Sequence, residues 1–231
     1  MRVKLEICCG SVEDALIAQK VGAHRIELNC ALEIGGLTPS LALFETVRQM
    51  INLPIMVMIR PHNGRYTYSE LDFEVMQKDA VLLLNQGADG IVFGFLTAQG
   101  TIDEERVKIM VALAQGKETV FHKAIDEAEN IEEAIQVLIR CKVDRILLGG
   151  GPGQIDDHLA LIGKWQAQYG THIQFLPGGG VHKDNIGKIL EVTKIQQIHM
   201  TGKRIDINPK TQKHHVLVDE TTLKDILEII K

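Results

Sequence analysis

Apolar and polar positions along the chain follow two rhythms that alternate from end to end. Short runs with period-two alternation or continuous aliphatic character fall at 3–8, 25–29, 54–60, 90–94, 119–124, 144–148, 173–176 and 197–200, and these predict strands. Segments with helical spacing lie between them at 11–21, 39–51, 70–86, 103–114, 130–141, 156–169 and 182–193, and a last one, 221–230, follows the final strand. Helix punctuation agrees with this division. Ser11 ahead of Glu13 and Asp14, Thr38 ahead of Pro39, and Asp103, Asn130 and Asp184 supply acceptors at helix starts, while Gly22, Gly87 and Gly170 supply stops.

A weak internal repeat groups these units in pairs. Gly-Ala-His-Arg-Ile-Glu-Leu from Gly22, Gly-Ala-Asp-Gly-Ile-Val-Phe from Gly87 and Lys-Val-Asp-Arg-Ile-Leu-Leu from Lys142 resemble one another, and Lys-Ile-Gln-Gln-Ile-His-Met from Lys194 is a fainter echo. The isoleucines at 26, 91, 146 and 198 mark the copies, and each interval holds two strand–helix units. Four pairs make eight units, which predicts a closed single-domain (β/α)8 TIM barrel over residues 1–231. An open doubly wound sheet is the rival arrangement, but the Gly-x-Gly-x-x-Gly that commonly follows its first strand is absent.

In such a barrel the working residues sit at the carboxyl ends of the strands. Side chains alternate along a strand, so Glu6 with Cys8, Arg25 with Glu27 and Asn29, Met56 with Met58 and Arg60, and His122 with Ala124 form inward faces. His199 matches Glu27 in the repeat and is assigned inward with them. Leu5, Ile7, Ile26, Leu28, Val57, Phe121, Ile146 and Ile198 are then the outward positions beneath the helices. Buried charges are costly unless paired or used. Glu6, Glu27, Arg60, His122 and His199 therefore read either as an internal ion-pair network or as a site, where carboxylates and imidazoles are the usual proton carriers. Asp126, just past the fifth strand, orients His122, binds ligand or caps a turn. Lys123 is expected to point outward, towards a helix, as a surface ion pair.

Glycine clusters follow the later strands: Gly149 and Gly150 after the sixth, and Gly178, Gly179 and Gly180 after the seventh. Glycine lets backbone N–H groups approach an anion, so these loops are candidate phosphate cradles as well as plain tight turns. The stretch 203–215, with His214 and His215, reads as a solvated loop.

Composition narrows the partners. Of the 231 residues 45% are apolar and 24% charged, which excludes a disordered chain. A net charge of −5 with 4% aromatics lacks the basic surface and stacking rings of a general nucleic-acid binder, and suits an anionic membrane surface poorly. No run long enough to span a membrane occurs, and the start Met1-Arg2-Val3-Lys4 mixes charge and apolar residues at once, so a cytoplasmic location is expected. The cysteines Cys8, Cys9, Cys30 and Cys141 then read as free thiols. Cys8 and Cys30, at the ends of the first two strands, are candidate Cu(I) ligands because thiolates are soft donors, although free cysteines also serve as small buried apolar residues.

Several strings together resemble the CutC copper homeostasis family: Leu5-Glu6-Ile7-Cys8, Arg25-Ile26-Glu27-Leu28, Gly35-Gly36-Leu37-Thr38-Pro39-Ser40, Ile59-Arg60-Pro61, Phe121-His122-Lys123-Ala124 and Pro177-Gly178-Gly179-Gly180-Val181. The likeness runs over residues 3–202. It implies a cytoplasmic (β/α)8 barrel with a role in copper tolerance through Cu(I) binding by cysteines. The family pattern carries Cys directly after Arg-Ile-Glu-Leu, where this chain has Asn29 followed by Cys30, and an arginine where this chain has Lys123. Two functions are thus expected in competition. One is Cu(I) handling through Cys8 and Cys30. The other is a barrel enzyme acting on a small anionic or phosphorylated metabolite, with Glu6, Glu27 and His122 moving protons and Arg60 with the glycine loops holding the anion. A homo-oligomer is expected in either case.

Overall fold

The computed structural model describes residues 3–230; Met1, Arg2 and Lys231, which the sequence places in the same domain, lie outside the described residues. Eight short parallel strands run β1 Lys4–Cys9, β2 Arg25–Leu28, β3 Ile55–Met58, β4 Gly90–Phe93, β5 Glu118–Phe121, β6 Arg145–Leu148, β7 Gln174–Pro177 and β8 Gln197–Met200. Their hydrogen-bonded order is β7-β6-β5-β4-β3-β2-β1-β8, so each strand lies beside its sequence neighbours. The ring closes at the β7–β8 seam by a side chain: Gln197 Nε2 donates to the Phe175 carbonyl at 2.9 Å. This is the TIM barrel that the eight-unit count predicts.

The helices α1 Val12–Val21, α2 Leu41–Met50, α3 Glu70–Asn85, α4 Glu104–Leu113, α5 Ile131–Arg140, α6 Leu159–Tyr169, α7 Ile186–Thr193 and α8 Glu220–Ile229 follow in alternation. Ser11, Asp103 and Asn130 cap α1, α4 and α5 through their side chains. Two starts differ from the sequence reading. Ser40, not Thr38, caps α2. Thr38 instead ties the backbone of residue 60, accepting from Arg60 N at 2.9 Å and donating to its carbonyl at 3.2 Å. Helix α7 begins at Ile186 rather than near 182, because Asn185 Oδ1 accepts from His182 N and holds that stretch as a turn. Among the described residues no helix is long and apolar enough to cross a membrane.

Alternation along the strands sorts two cores. The outward residues, Leu5, Ile7, Ile26, Leu28, Val57, Phe93, Phe121 and Ile146 among them, pack against the helices in one large cluster. The barrel interior is divided. Met56, Met58, Val92, Val120, Leu147 and Leu176 fill the β3–β7 side with apolar groups. Glu6, Arg25, Glu27, Gln197 and His199 occupy the β1, β2 and β8 side, all buried.

One segment corrects the sequence reading outright. The stretch 203–215, taken as a solvated loop, belongs to an antiparallel hairpin that runs on to Val218, β9 Lys203–Ile207 with β10 His214–Val218. Its first strand is exposed along its length, and the alternation of Ile205 and Ile207 is too short a signal to stand out from the polar stretch that follows. Tertiary anchors hold it: Glu33 accepts from Val216 N at 2.9 Å, and Asp14 accepts from Val218 N at 2.8 Å.

Candidate functional site

The carboxyl ends of the strands open into a cavity of about 510 Å³. Its walls include Cys8, Glu27, Met58, Arg60, Tyr66, His122, Lys123, Asp126, Leu147 and His199. Five of the six residues singled out as catalytic candidates therefore line one mouth: Glu27, Arg60, His122, Asp126 and His199. Glu6 lies deeper. The register pairs it with Arg25 on β2 and His199 on β8. It forms an ion pair with Arg25, lies 4.0 Å from Arg145 Nη1, and shares a 2.7 Å hydrogen bond with His199 Nδ1. Burial alone would raise its pKa, but the His199 hydrogen bond and the two guanidiniums outweigh it and hold the carboxyl down to about 2. Glu6 is thus a fixed anion that orients His199 from below, not a group at the mouth.

Above it sit three donors of different kinds. The thiol of Cys8, a carboxylate oxygen of Glu27 and an imidazole nitrogen of His199 all lie within 4.8 Å of one another, and all three residues are buried. Cys8 faces Glu27 across the β1–β2 ladder, and its Sγ donates to Glu27 Oε1 at 3.8 Å. Asn29 closes the group, donating from Nδ2 to Glu27 Oε1 at 2.9 Å and to Cys8 Sγ at 3.3 Å. Among the described residues Glu27 Oε2 has no partner. Burial raises the pKa of Glu27 despite the pull of His199, and burial together with the Glu27 charge pushes the Cys8 thiol well up. His199 shifts upward: burial opposes its charge, but the Glu27 and Glu6 carboxylates overcome that penalty.

Cys30, the other thiol proposed as a ligand, is not among these donors. The ladder persists one residue past β2, with Asn29 N donating to the Cys9 carbonyl at 2.9 Å, so Asn29 keeps the inward face. Cys30 is turned into the following loop, where it bridges Leu37 and its Sγ donates to the Thr38 carbonyl at 3.1 Å. The one-place shift from the family pattern has moved the thiol off the inward face. Gly36 permits this packing. Its φ is +83°, and a Cβ there would overlap Asn29 Oδ1.

The opposite wall is built from β3 and β5. Arg60, beyond the end of β3, is 6% exposed. Its Nη1 donates to the Gly35 and Gly36 carbonyls, each at 3.2 Å, and its guanidinium lies 5.0 Å from the centre of the Tyr66 ring. Tyr66 in turn packs against His122 with the rings tilted by 52° and their centres 5.0 Å apart. His122 Nδ1 accepts from Ala124 N at 3.1 Å. Burial, then the Arg60 charge, push its pKa down to about 3. The ring is therefore neutral, and the hydrogen bond at Nδ1 assigns its proton to Nε2, which has no partner among the described residues.

Lys123 departs from expectation. Strand β5 ends at Phe121, and a 3-10 turn, Lys123–Glu127, starts immediately. Alternation stops there, so the side chain is released to the mouth, with Nζ 3.6 Å from Asp126 Oδ2. Asp126 itself fills the glycine loop after β6. Its carboxylate accepts from Gly149 N at 3.0 and 2.9 Å, from Gly150 N at 2.9 Å and from Gly151 N at 3.2 Å. Gly149 and Gly150 thus cradle an anion that the chain supplies, so the expected external phosphate finds their N–H groups taken. Gly178 N likewise donates to the Leu148 carbonyl at 3.0 Å. Gly179 and Gly180 border a second cavity, about 530 Å³, with Lys123, Thr201, Gly202 and Lys203 on its walls. Sequence reasoning missed Tyr66, which carries no strand signal, and Arg25 as the partner of Glu6, although its inward face was legible.

Comparison with known proteins agrees with this architecture. The CutC family model matches residues 3–204. A CutC family protein of Treponema denticola is 40% identical over 210 residues, covering 91% of this chain and 85% of that protein. The copper homeostasis protein cutC homolog of Homo sapiens is 36% identical over 199 residues, covering 86% of this chain and 73% of its own length. Among solved structures, a CutC from Streptococcus agalactiae superposes with a TM-score of 0.82 at 29% identity, over 86% of this chain and 98% of that one.

Proposed function

The chain belongs to the CutC family, and on that premise we propose that it serves copper homeostasis by holding one Cu(I) ion at the barrel mouth, on Cys8 with His199 and Glu27 beside it. The convergence of those three buried donors within 4.8 Å carries the reading. A thiolate is a soft ligand that suits Cu(I), and an imidazole is a good second donor. The supporting arrangement fits as well. Glu6 holds His199 by Nδ1 at 2.7 Å, the carboxylate–histidine pattern that fixes ring orientation in metal sites and leaves the other nitrogen for the ion.

Binding requires the Cys8 proton to leave. Glu27 Oε1 already accepts the thiol hydrogen bond, and burial has raised its proton affinity, so it is the natural receiver. The S–H bond breaks, sulfur keeps the electron pair and bonds the ion, and the proton passes to the carboxylate. His199, whose proton affinity the two carboxylates raise, must also release a proton to solvent to offer its nitrogen, so the monovalent ion takes the place of that one proton and the net charge of the pocket is unchanged, which limits the cost of burial. Four free cysteines accord with a reducing compartment such as the cytoplasm.

The test is an anaerobic Cu(I) titration against a chromogenic chelator. Wild type is expected to bind one equivalent. Cys8→Ser should lose that binding, and His199→Gln, which removes a donor, should weaken it by at least the roughly tenfold that loss of an outer partner costs. Cys30→Ser should leave it unchanged. Unaltered affinity in Cys8→Ser would remove this function from the mouth.

A further inference from the structure

Apart from the metal donors, the mouth holds a buried cation with no anion to match it. Among the described residues every other buried arginine has a carboxylate partner: Arg25 pairs with Glu6, and Arg145 with Glu118 and, more distantly, Glu6. Arg60, equally buried, has none; its Nη1 meets two backbone carbonyls and its Nε has no partner. His122, on the same cavity wall, carries a second unused buried donor at Nε2. Uncompensated donors of this kind are costly in a finished core, and in a cavity they mark the place of a missing acceptor.

We infer that Arg60 and His122 form the binding site for a small organic monocarboxylate, seated in the 510 Å³ cavity. Charge selects the class. Lys123 already faces Asp126, and Asp126 is occupied by the 149–151 loop, so Arg60 contributes the one unspent positive charge on this wall. A single carboxylate balances it. A phosphate dianion would leave an excess negative charge near Glu27 and Glu127, which share the cavity. A guanidinium and a neutral N–H donor are also standard carboxylate partners. The apolar walls Met58 and Leu147 and the Tyr66 ring accommodate a short carbon skeleton, and the volume falls in the range of about 300–1,000 Å³ usual for small-molecule sites. This site does not depend on the copper reading, since none of its donors is a metal ligand.

The experiment uses metal-free full-length protein, with glycolate and inorganic phosphate as probes. The His122 Nε2–H signal is followed by proton–nitrogen NMR, and affinities by calorimetry. Glycolate is expected to shift that signal saturably, and to bind at least about tenfold more tightly than phosphate. Arg60→Lys, which keeps the charge but loses the planar fork, should weaken glycolate by about tenfold or more. Arg60→Met should abolish the shift; should that variant fail to fold, Arg60→Lys alone decides. No saturable shift, a shift that survives both Arg60 substitutions, or tighter binding of phosphate than of glycolate would each overturn the assignment.

Discussion

Glu6 Oε1 and His199 Nδ1 lie 2.7 Å apart on adjacent strands whose register sets the two residues directly opposite each other. His199 and His122, two imidazoles lining one cavity, titrate in opposite directions. Burial opposes the charge of both rings, but the Glu27 and Glu6 carboxylates outweigh it at His199 and raise that ring above 6.5, whereas at His122 burial and then the Arg60 charge act together and lower it from 6.5 to about 3. In metal-free protein, residue-resolved imidazole NMR should find His199 protonated at pH 6.5 and His122 neutral down to pH 5. The two contribute to stability with opposite sign. The His199 contribution is full below 6.5 and is lost as pH rises through its folded value. That of His122 is full above 6.5 and is lost as pH falls towards 3. A single-site His122→Gln variant should therefore lose less stability than wild type between pH 6 and pH 4.

Replacing Glu6 by Gln tests the ion-pair centre beneath the mouth. The side chain keeps its shape but leaves Arg25 and Arg145 buried without their shared anion. Breaking a buried pair this way costs about 3–5 kcal/mol, measurable by urea denaturation at pH 7. The acid limb should change too. Glu6 is held at about 2 against an ordinary 4.5, so the stability it confers is complete above 4.5 and disappears as pH falls towards 2. Glu6→Gln should flatten the curve in that window.

The barrel was legible because its cause is local: eight aliphatic strands, each followed by a helical period, admit few closures, and the repeat fixed the pairing of units. The inward faces of β1, β2 and β8 followed from alternation alone. What escaped lies where alternation stops or partners are distant. Lys123 falls inside the strand-like run 119–124, and nothing in Phe-His-Lys-Ala marks that the strand ends at Phe121. Strand β9 is exposed, and the hairpin is held by Glu33 and Asp14, about two hundred residues away in sequence, anchors that no local pattern shows. Asp126 filling the 149–151 loop is another long-range pairing, invisible in a glycine count.

The inward position next to Cys8 belongs to Asn29, which predicts a gain of function. Asn29→Cys sets a second thiol on the same inward face beside Cys8, whose Sγ now accepts from Asn29 Nδ2 at 3.3 Å. Soft two-sulfur coordination suits Cu(I), so affinity should rise by tenfold or more in chelator competition. The variant should also lose about 1–2 kcal/mol of stability with the hydrogen bonds to Cys8 and Glu27. Equal or weaker copper binding would show that the donors gathered around Cys8 do not take the ion.

Asp126 is the last lever on the mouth, and its role separates a built cradle from a vacant one. Three consecutive N–H groups, of Gly149, Gly150 and Gly151, converge on its carboxylate. With Asp126→Ala the loop loses the anion that organises it, and two of those glycines, with φ of +91° and +136°, are free to relax. The expected cost is about 2–3 kcal/mol, together with lost hydrogen-exchange protection at residues 149–151. Asp126→Asn keeps one carbonyl oxygen and should retain part of both. Lys123, 3.6 Å from the carboxylate, would lose its anchor in the alanine variant and be freed towards the cavities it borders. Added phosphate should then restore protection at 150 and 151 in Asp126→Ala and not in wild type, because only the variant has those N–H groups to spare. Protection in Asp126→Ala equal to that of wild type without any added anion would mean that the loop holds its own shape and that the carboxylate merely rests against it.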